Sequence, residues 1–179
     1  MKIKTKFKDL FLIKENTYFD KRGFFRELLS ENYLKIKFPF LVASYSKKNV
    51  VRGLHLQKIK SQGKFISVLK GKIFDVALDL RKKSKTYGKY YTCILSKKNS
   101  TSIYIPPGFA HGFQALEDEN YVIYSCTNYR DKNSEISINV NDKRLKINWP
   151  LRKKIISTKD KKAISFTEYL KQIKWKKLF

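Results

Sequence analysis

Between residues 40 and 128, apolar and polar positions alternate in short runs, the period of strands with one face buried. The pattern predicts strands over 41–46, 50–57, 64–70, 72–80, 90–95, 101–105, 112–116 and 121–128. Turn chemistry separates them, as in Lys47-Lys48-Asn49, Ser61-Gln62-Gly63, Lys70-Gly71 and Pro106-Pro107-Gly108. No helical period falls between these runs, so the expected class is all-β, a jelly-roll sandwich or barrel.

The flanks read differently. Residues 1–20 fit a short strand or two ending in the turn Tyr18-Phe19-Asp20-Lys21-Arg22-Gly23, after which Phe24–Leu29 is again extended. Ser30-Glu31-Asn32 caps a brief helix that Pro39 stops. Near the C-terminus, Ser165-Phe166-Thr167-Glu168 fits a capping box, and Phe166, Tyr169, Leu170 and Ile173 share one helical face. That amphipathic helix is expected across the outside of the barrel. The chain shows neither internal repeat nor linker, and residues 1–179 are read as a single domain.

Composition changes this picture little. The net charge is +25, but the lysines are scattered in pairs, mostly at turns (Lys47-Lys48, Lys82-Lys83, Lys97-Lys98, Lys153-Lys154, Lys161-Lys162, Lys176-Lys177). They form no basic stripe, and no nucleic-acid motif accompanies them, so no nucleic-acid partner is expected. Such a field still attracts an anionic substrate, a phosphate ester in particular. Cys93 and Cys126 lie far apart without metal or redox spacing and read as small buried side chains in a reducing compartment. The first residues alternate charge with apolar side chains, and no run reaches membrane-spanning length, so the expected location is the cytoplasm with no membrane partner.

The two histidines, His55 and His111, both fall inside short apolar segments. Imidazole is the side chain best suited to moving protons near neutral pH. On its own, His55 reads as a buried, hydrogen-bonded core residue. Arg52, Gln57 and Lys64 crowd the same strand-like stretch, and so many polar groups are costly to bury unless they converge on a ligand.

A resemblance sharpens this. Asp20-x-Arg22-Gly23-x-Phe25-x-Glu27, Arg52-Gly53-Leu54-His55-x-Gln57, Lys64, Gly71-x-Ile73-x-Asp75-Val76-Ala77-x-Asp79-Leu80-Arg81, Ile105-Pro106-x-Gly108-x-x-His111-Gly112-Phe113, Asn141-Asp142, Trp149-Pro150 and Ser157-x-Lys159-Asp160 together resemble the dTDP-4-dehydrorhamnose 3,5-epimerases and related sugar-nucleotide epimerases. The match keeps the family's order from about residue 10 to 165. It implies a cupin-type jelly roll, a homodimer, and action without metal or redox cofactor on a nucleoside-diphosphate 4-keto-6-deoxyhexose. By resemblance His55 is the base, Asp160 its partner, Lys64 the cation at the ketone oxygen and Tyr124 the acid on the opposite face. Arg52 suits the diphosphate, and Arg22, Phe25 and Glu27 the base and phosphates, reached across a dimer interface. His111, Gln57, Tyr129 and Lys159 complete the substrate-binding set. Metal-binding cupins present a His-x-His pair; here Gln57 takes the second place, so no metal is expected.

The chain also departs from that pattern. Family members acting at two carbons usually carry a Gln and an Asn where this chain has Phe40 and Val42, although Ser44 and Ser46 are retained. They also usually carry a second tyrosine six residues after the acid, where this chain has Arg130, with Tyr129 one place short. The readings to weigh are thus an epimerase working at C3, C5 or both, a 3,4-ketoisomerase on the same scaffold, and a non-catalytic basic cupin that binds sugar nucleotide.

Overall fold

The computed structural model describes residues 1–175; the Lys176-Lys177 pair lies outside the described residues. Its strands run β1 (Lys2–Lys4), β2 (Phe11–Lys14), β3 (Thr17–Asp20), β4 (Gly23–Arg26), β5 (Phe40–Ser46), β6 (Val50–Gln57) and β7 (Lys64–Lys70). They continue as β8 (Lys72–Asp79), β9 (Tyr90–Ser96), β10 (Thr101–Ile105), β11 (Phe109–Ala115), β12 (Asn120–Cys126), β13 (Glu135–Ser137) and β14 (Ile155–Ile156). One sheet has the order β1-β2-β10-β7-β12-β5, and the second β13-β6-β11-β8-β9, with β14 joining β6 in parallel. β3 and β4 form a separate hairpin. The cupin-type jelly roll expected from the sequence is the architecture found.

Strand alternation decides where the functional side chains point. Along β8, Ile73 and Ala77 enter the core between the sheets, whereas Val76 and Leu78 enter a second core on the outer face. Asp75 shares parity with the inward pair. On β11, Phe109, Phe113 and Ala115 are inward, and His111 falls in step with them. On β7 and β12, Ile66, Val68 and Val122 are inward, so Lys64 and Tyr124 are aimed the same way. His55 lies between Leu54 and Leu56, both packed in the outer core, and therefore faces the interior as well.

The outer core is closed by the C-terminal third of the chain. Ile138, Val140, Leu145 and Trp149 cover the second sheet together with Phe166 and Tyr169 of the C-terminal helix. This helix, Phe166–Trp175, starts with the expected capping box: the Ser165 N–H and hydroxyl donate to Glu168 Oε2 at 2.7 Å each, and the Glu168 N–H donates to Ser165 Oγ at 3.1 Å. The brief helix Glu31–Leu34 ends at Lys35 in the left-handed region (φ 57°), well before Pro39. Among the described residues, no helix is long and apolar enough to cross a membrane.

Two expectations need correction. Cys126 is buried, but Cys93 is only partly so. β11 begins at Phe109, three residues before the predicted start, because pairing with β8 (Phe109 opposite Asp79) extends the ladder back to the Pro-Pro-Gly turn. His111 is consequently a mid-strand residue.

Candidate active site

β6 and β11 bring the two histidines side by side, with His55 directly opposite His111. The ladder shifts register between His111 and Phe113, and two glycines permit the close approach. A Cβ on Gly53 (φ +112°) would lie 2.6 Å from Gly112 Cα, and one on Gly112 would lie 2.5 Å from the Arg52 carbonyl oxygen. Any larger side chain at either place would push apart the strands that carry both imidazoles.

Asp160 comes from 105 residues further along. The parallel pairing of β14 with Val50 and Val51 delivers the chain beside β6, where Ser157 caps the short helix Thr158–Lys161 by accepting from the Asp160 N–H. The Asp160 carboxylate then meets His55 Nε2 at 2.7 Å. Burial pushes the Asp160 carboxyl up, but the His55 hydrogen bond and charge, with help from Ser157 and the Gly53 N–H, bring it below the ordinary carboxylate range. The His55 side chain keeps 34% of its surface exposed, and its Nδ1 has no protein hydrogen-bond partner among the described residues.

His55 and Lys64 line the same cavity, of about 300 Å³, together with Arg52, His111, Tyr124 and Cys126. Burial pulls the Lys64 ammonium down from the usual lysine range. No hydrogen-bond or ion-pair partner for that ammonium occurs among the described residues. The Tyr124 hydroxyl lies 3.1 Å from Ser44 Oγ, and burial pushes its pKa up, so the phenol holds its proton. Arg52 donates to Ser46 Oγ and to the Tyr45 carbonyl, both at 2.9 Å. The two retained serines thus each fix one functional side chain.

His111 is paired as well: its Nε2 lies 2.7 Å from Asp75 Oδ2, with both side chains almost fully buried. The other Asp75 oxygen is buried without a hydrogen-bond partner.

Not every residue singled out in the sequence reaches the cavity. Gln57 is 5% exposed, and its amide is spent on backbone: it donates to the Lys60 and Tyr129 carbonyls and accepts from the Asp131 N–H. It ties loops together instead of lining the cavity. Tyr129 packs on Phe40 at a ring distance of 5.8 Å, and it is Phe40 that lines the wall. Lys159 is held by Glu135 at 2.6 Å. Arg22, Phe25 and Glu27 sit on or beside the β3–β4 hairpin, away from the cavity: Arg22 is paired with Asp20, Phe25 stacks on Tyr18, and Glu27 accepts from Asn16.

Four lining residues were not singled out as site residues in the sequence: Ala43, Gln62, Cys126 and Glu135. Arg130, noted there as a departure, also lines the wall and grips Glu135 with two nitrogens, at 2.6 and 3.1 Å. Hydrogen bonds from Arg130 and then Lys159 outweigh burial and hold the Glu135 carboxyl at about 2.

Comparison with known proteins points to one family. The family model described as dTDP-4-dehydrorhamnose 3,5-epimerase matches residues 4–168. A protein of that name from Methanothermobacter thermautotrophicus is 42% identical over 167 residues, 89% of this chain and 90% of the relative. A crystal structure of a dTDP-6-deoxy-D-glucose-3,5-epimerase from Legionella pneumophila, in complex with dTDP-4-keto-L-rhamnose, superposes with a TM-score of 0.89 at 41% identity, covering 93% of each chain. A dTDP-4-dehydrorhamnose 3,5-epimerase of Elizabethkingia anophelis gives 0.87 at 39% identity, covering 94% of this chain and 97% of that one. With its fold, the pairing of His55 with Asp160 and this likeness along nearly its whole length, the chain belongs to the dTDP-4-dehydrorhamnose 3,5-epimerase family.

Proposed function

We propose that this chain is an isomerase that epimerises a dTDP-linked 4-keto-6-deoxyhexose in deoxysugar biosynthesis, with His55, Asp160, Lys64 and Tyr124 as its catalytic set. The observation that carries the assignment is that an imidazole, an ammonium free of protein partners and a protonated phenol line one cavity. His55 takes the proton from a carbon next to the ketone, and the ionised Asp160 stabilises the imidazolium. The C–H electron pair moves into an enolate, whose oxygen charge falls to the Lys64 ammonium. Tyr124 returns a proton from the opposite face, inverting the carbon. Bonds and charges balance without an electron acceptor, so none of these roles calls for a redox cofactor.

Arg52 is assigned to the diphosphate, since a planar guanidinium meets phosphate oxygens in pairs. His111 is assigned to a sugar oxygen. The hairpin residues Arg22, Phe25 and Glu27 are assigned to a second copy of the chain: Tyr18 and Phe25 form a stacked pair exposed at 58% and 68%, and Leu41 on the edge strand β5 is exposed at 65%. Exposed aromatics on a separate hairpin support a homodimer in which the hairpin of one copy completes the cavity of the other. Both cysteines are free, which supports a cytoplasmic setting.

The test is solvent exchange. Incubation with dTDP-4-keto-6-deoxyglucose in deuterated water is expected to label C3, C5 or both, and the labelled position reads out which carbon is inverted. Absence of label at both carbons would refute the assignment.

A further inference from the structure

Arg130 is the one guanidinium besides Arg52 among the residues lining the cavity, and the protein holds it there firmly. Its Nε and Nη2 are spent on the two oxygens of Glu135, at 2.6 and 3.1 Å, and Glu135 Oε2 also takes the Lys159 ammonium at 2.6 Å. A guanidinium carries five N–H donors; this grip uses two and leaves three with no acceptor among the described residues. The side chain keeps 49% of its surface exposed, while its Glu135 anchor keeps 16%.

The anchor fixes which side of the cavity the arginine serves. Glu135 opens β13, which pairs with β6 so that Glu135 faces Gln57 and Ser137 faces His55. Lys159, the other partner of Glu135, immediately precedes Asp160, the partner of His55. One short chain of contacts thus joins Arg130 to the two elements that hold the proton-abstracting pair. Lys64 and Tyr124 come from the opposite sheet.

Building on the activity assigned above, we propose that Arg130 is a specificity-determining residue of the sugar subsite: it donates hydrogen bonds to a sugar oxygen flanking the carbon that His55 deprotonates, and Glu135 positions it. A rigid, permanently charged fork at this wall favours a sugar that offers an oxygen there. It also biases which carbon is presented to the base.

The experiment compares wild type, Arg130→Gln, Arg130→Lys and Glu135→Gln with dTDP-4-keto-6-deoxyglucose in deuterated water, with inhibition by dTDP alone as the control for the phosphate end. Arg130→Gln is expected to raise KM about tenfold, the loss of one charge-assisted hydrogen bond, with kcat falling less. It is also expected to shift the ratio of label at C3 and C5 while leaving dTDP inhibition within about twofold. Arg130→Lys keeps the charge without the fork and is expected to restore less than half of the lost affinity. Glu135→Gln is expected to shift the label ratio in the same direction with a smaller change in KM. An unchanged KM and label ratio in Arg130→Gln, with wild type active, would overturn the inference and leave the assigned activity standing. An equal loss of dTDP binding would also overturn it, by making Arg130 a phosphate contact. Failure of the wild type itself to exchange would remove both.

Discussion

The molecule contains two histidine–aspartate pairs of the same length, 2.7 Å from Nε2 to the carboxylate, mounted on adjacent strands. His55 and Asp160 sit at an open wall, with the imidazole 34% exposed, whereas His111 and Asp75 are 4% and 0% exposed. The chemistry of the pairs is alike, and their surroundings divide the labour. The open pair can offer a ring nitrogen to a substrate and take up a proton next to water. The closed pair is almost fully buried even though His111 borders the cavity, and a buried carboxylate depends on its partner for stability. Paired groups of this kind are therefore told apart by exposure and by what lies beyond them, not by the motif.

Substitutions can break that contrast. The largest expected effect is on exchange: His55→Asn should cut deuterium incorporation by about a thousandfold, the scale of a lost general base, while its melting temperature changes less than that of any variant of the buried pair. Lys64→Met should cut exchange by about a hundredfold, as for a lost oxyanion donor, and should also raise the melting temperature by removing a half-buried ammonium that has no protein partner among the described residues. A fall in melting temperature in Lys64→Met would mean that the ammonium is stabilised by the fold and not held for a ligand. His111→Leu should cost about 3 kcal/mol in urea unfolding, because Asp75 is left buried with no partner. If His111→Leu proves as stable as His55→Asn, the distinction between the open and closed pairs fails.

The smallest effect is on pH dependence. Asp160 has its folded pKa lowered below the ordinary value, so its contribution to stability is complete above the unfolded pKa and is lost as the pH falls through the folded one. The advantage of wild type over Asp160→Asn should accordingly be full near neutral pH and shrink below about pH 4. An advantage that grows as the pH falls would show the opposite shift.

Much of this was legible in the sequence, for identifiable reasons. β6, β7 and β10 have the predicted bounds because their apolar runs are bracketed by turn residues. β13 and β14 were not visible: at three and two residues they carry no period of their own and exist only because β6 offers an edge. The pairing of His55 with Asp160 spans 105 residues, and no local pattern encodes it; the resemblance supplied it. Gln57, expected as a substrate contact, lies outside the cavity lining, and a polar residue in an apolar strand announces that it is satisfied without saying by what. Its partners, the backbone of Lys60, Tyr129 and Asp131, belong to loops whose approach only the folded chain reveals. Arg130 and Glu135 are five residues apart, with no helical or strand spacing to flag a contact, so their grip on one wall was also hidden.

The most direct test of the open pair as the proton-abstracting site is a crystal structure of the chain with a dTDP-linked 4-keto-6-deoxyhexose, or a stable analogue, bound. The reacting carbon should lie about 3 to 3.5 Å from a His55 ring nitrogen, with the C4 oxygen within hydrogen-bonding distance of Lys64 Nζ. A sugar seated with its ring beyond reach of His55, or with the C4 oxygen turned away from Lys64, would contradict it.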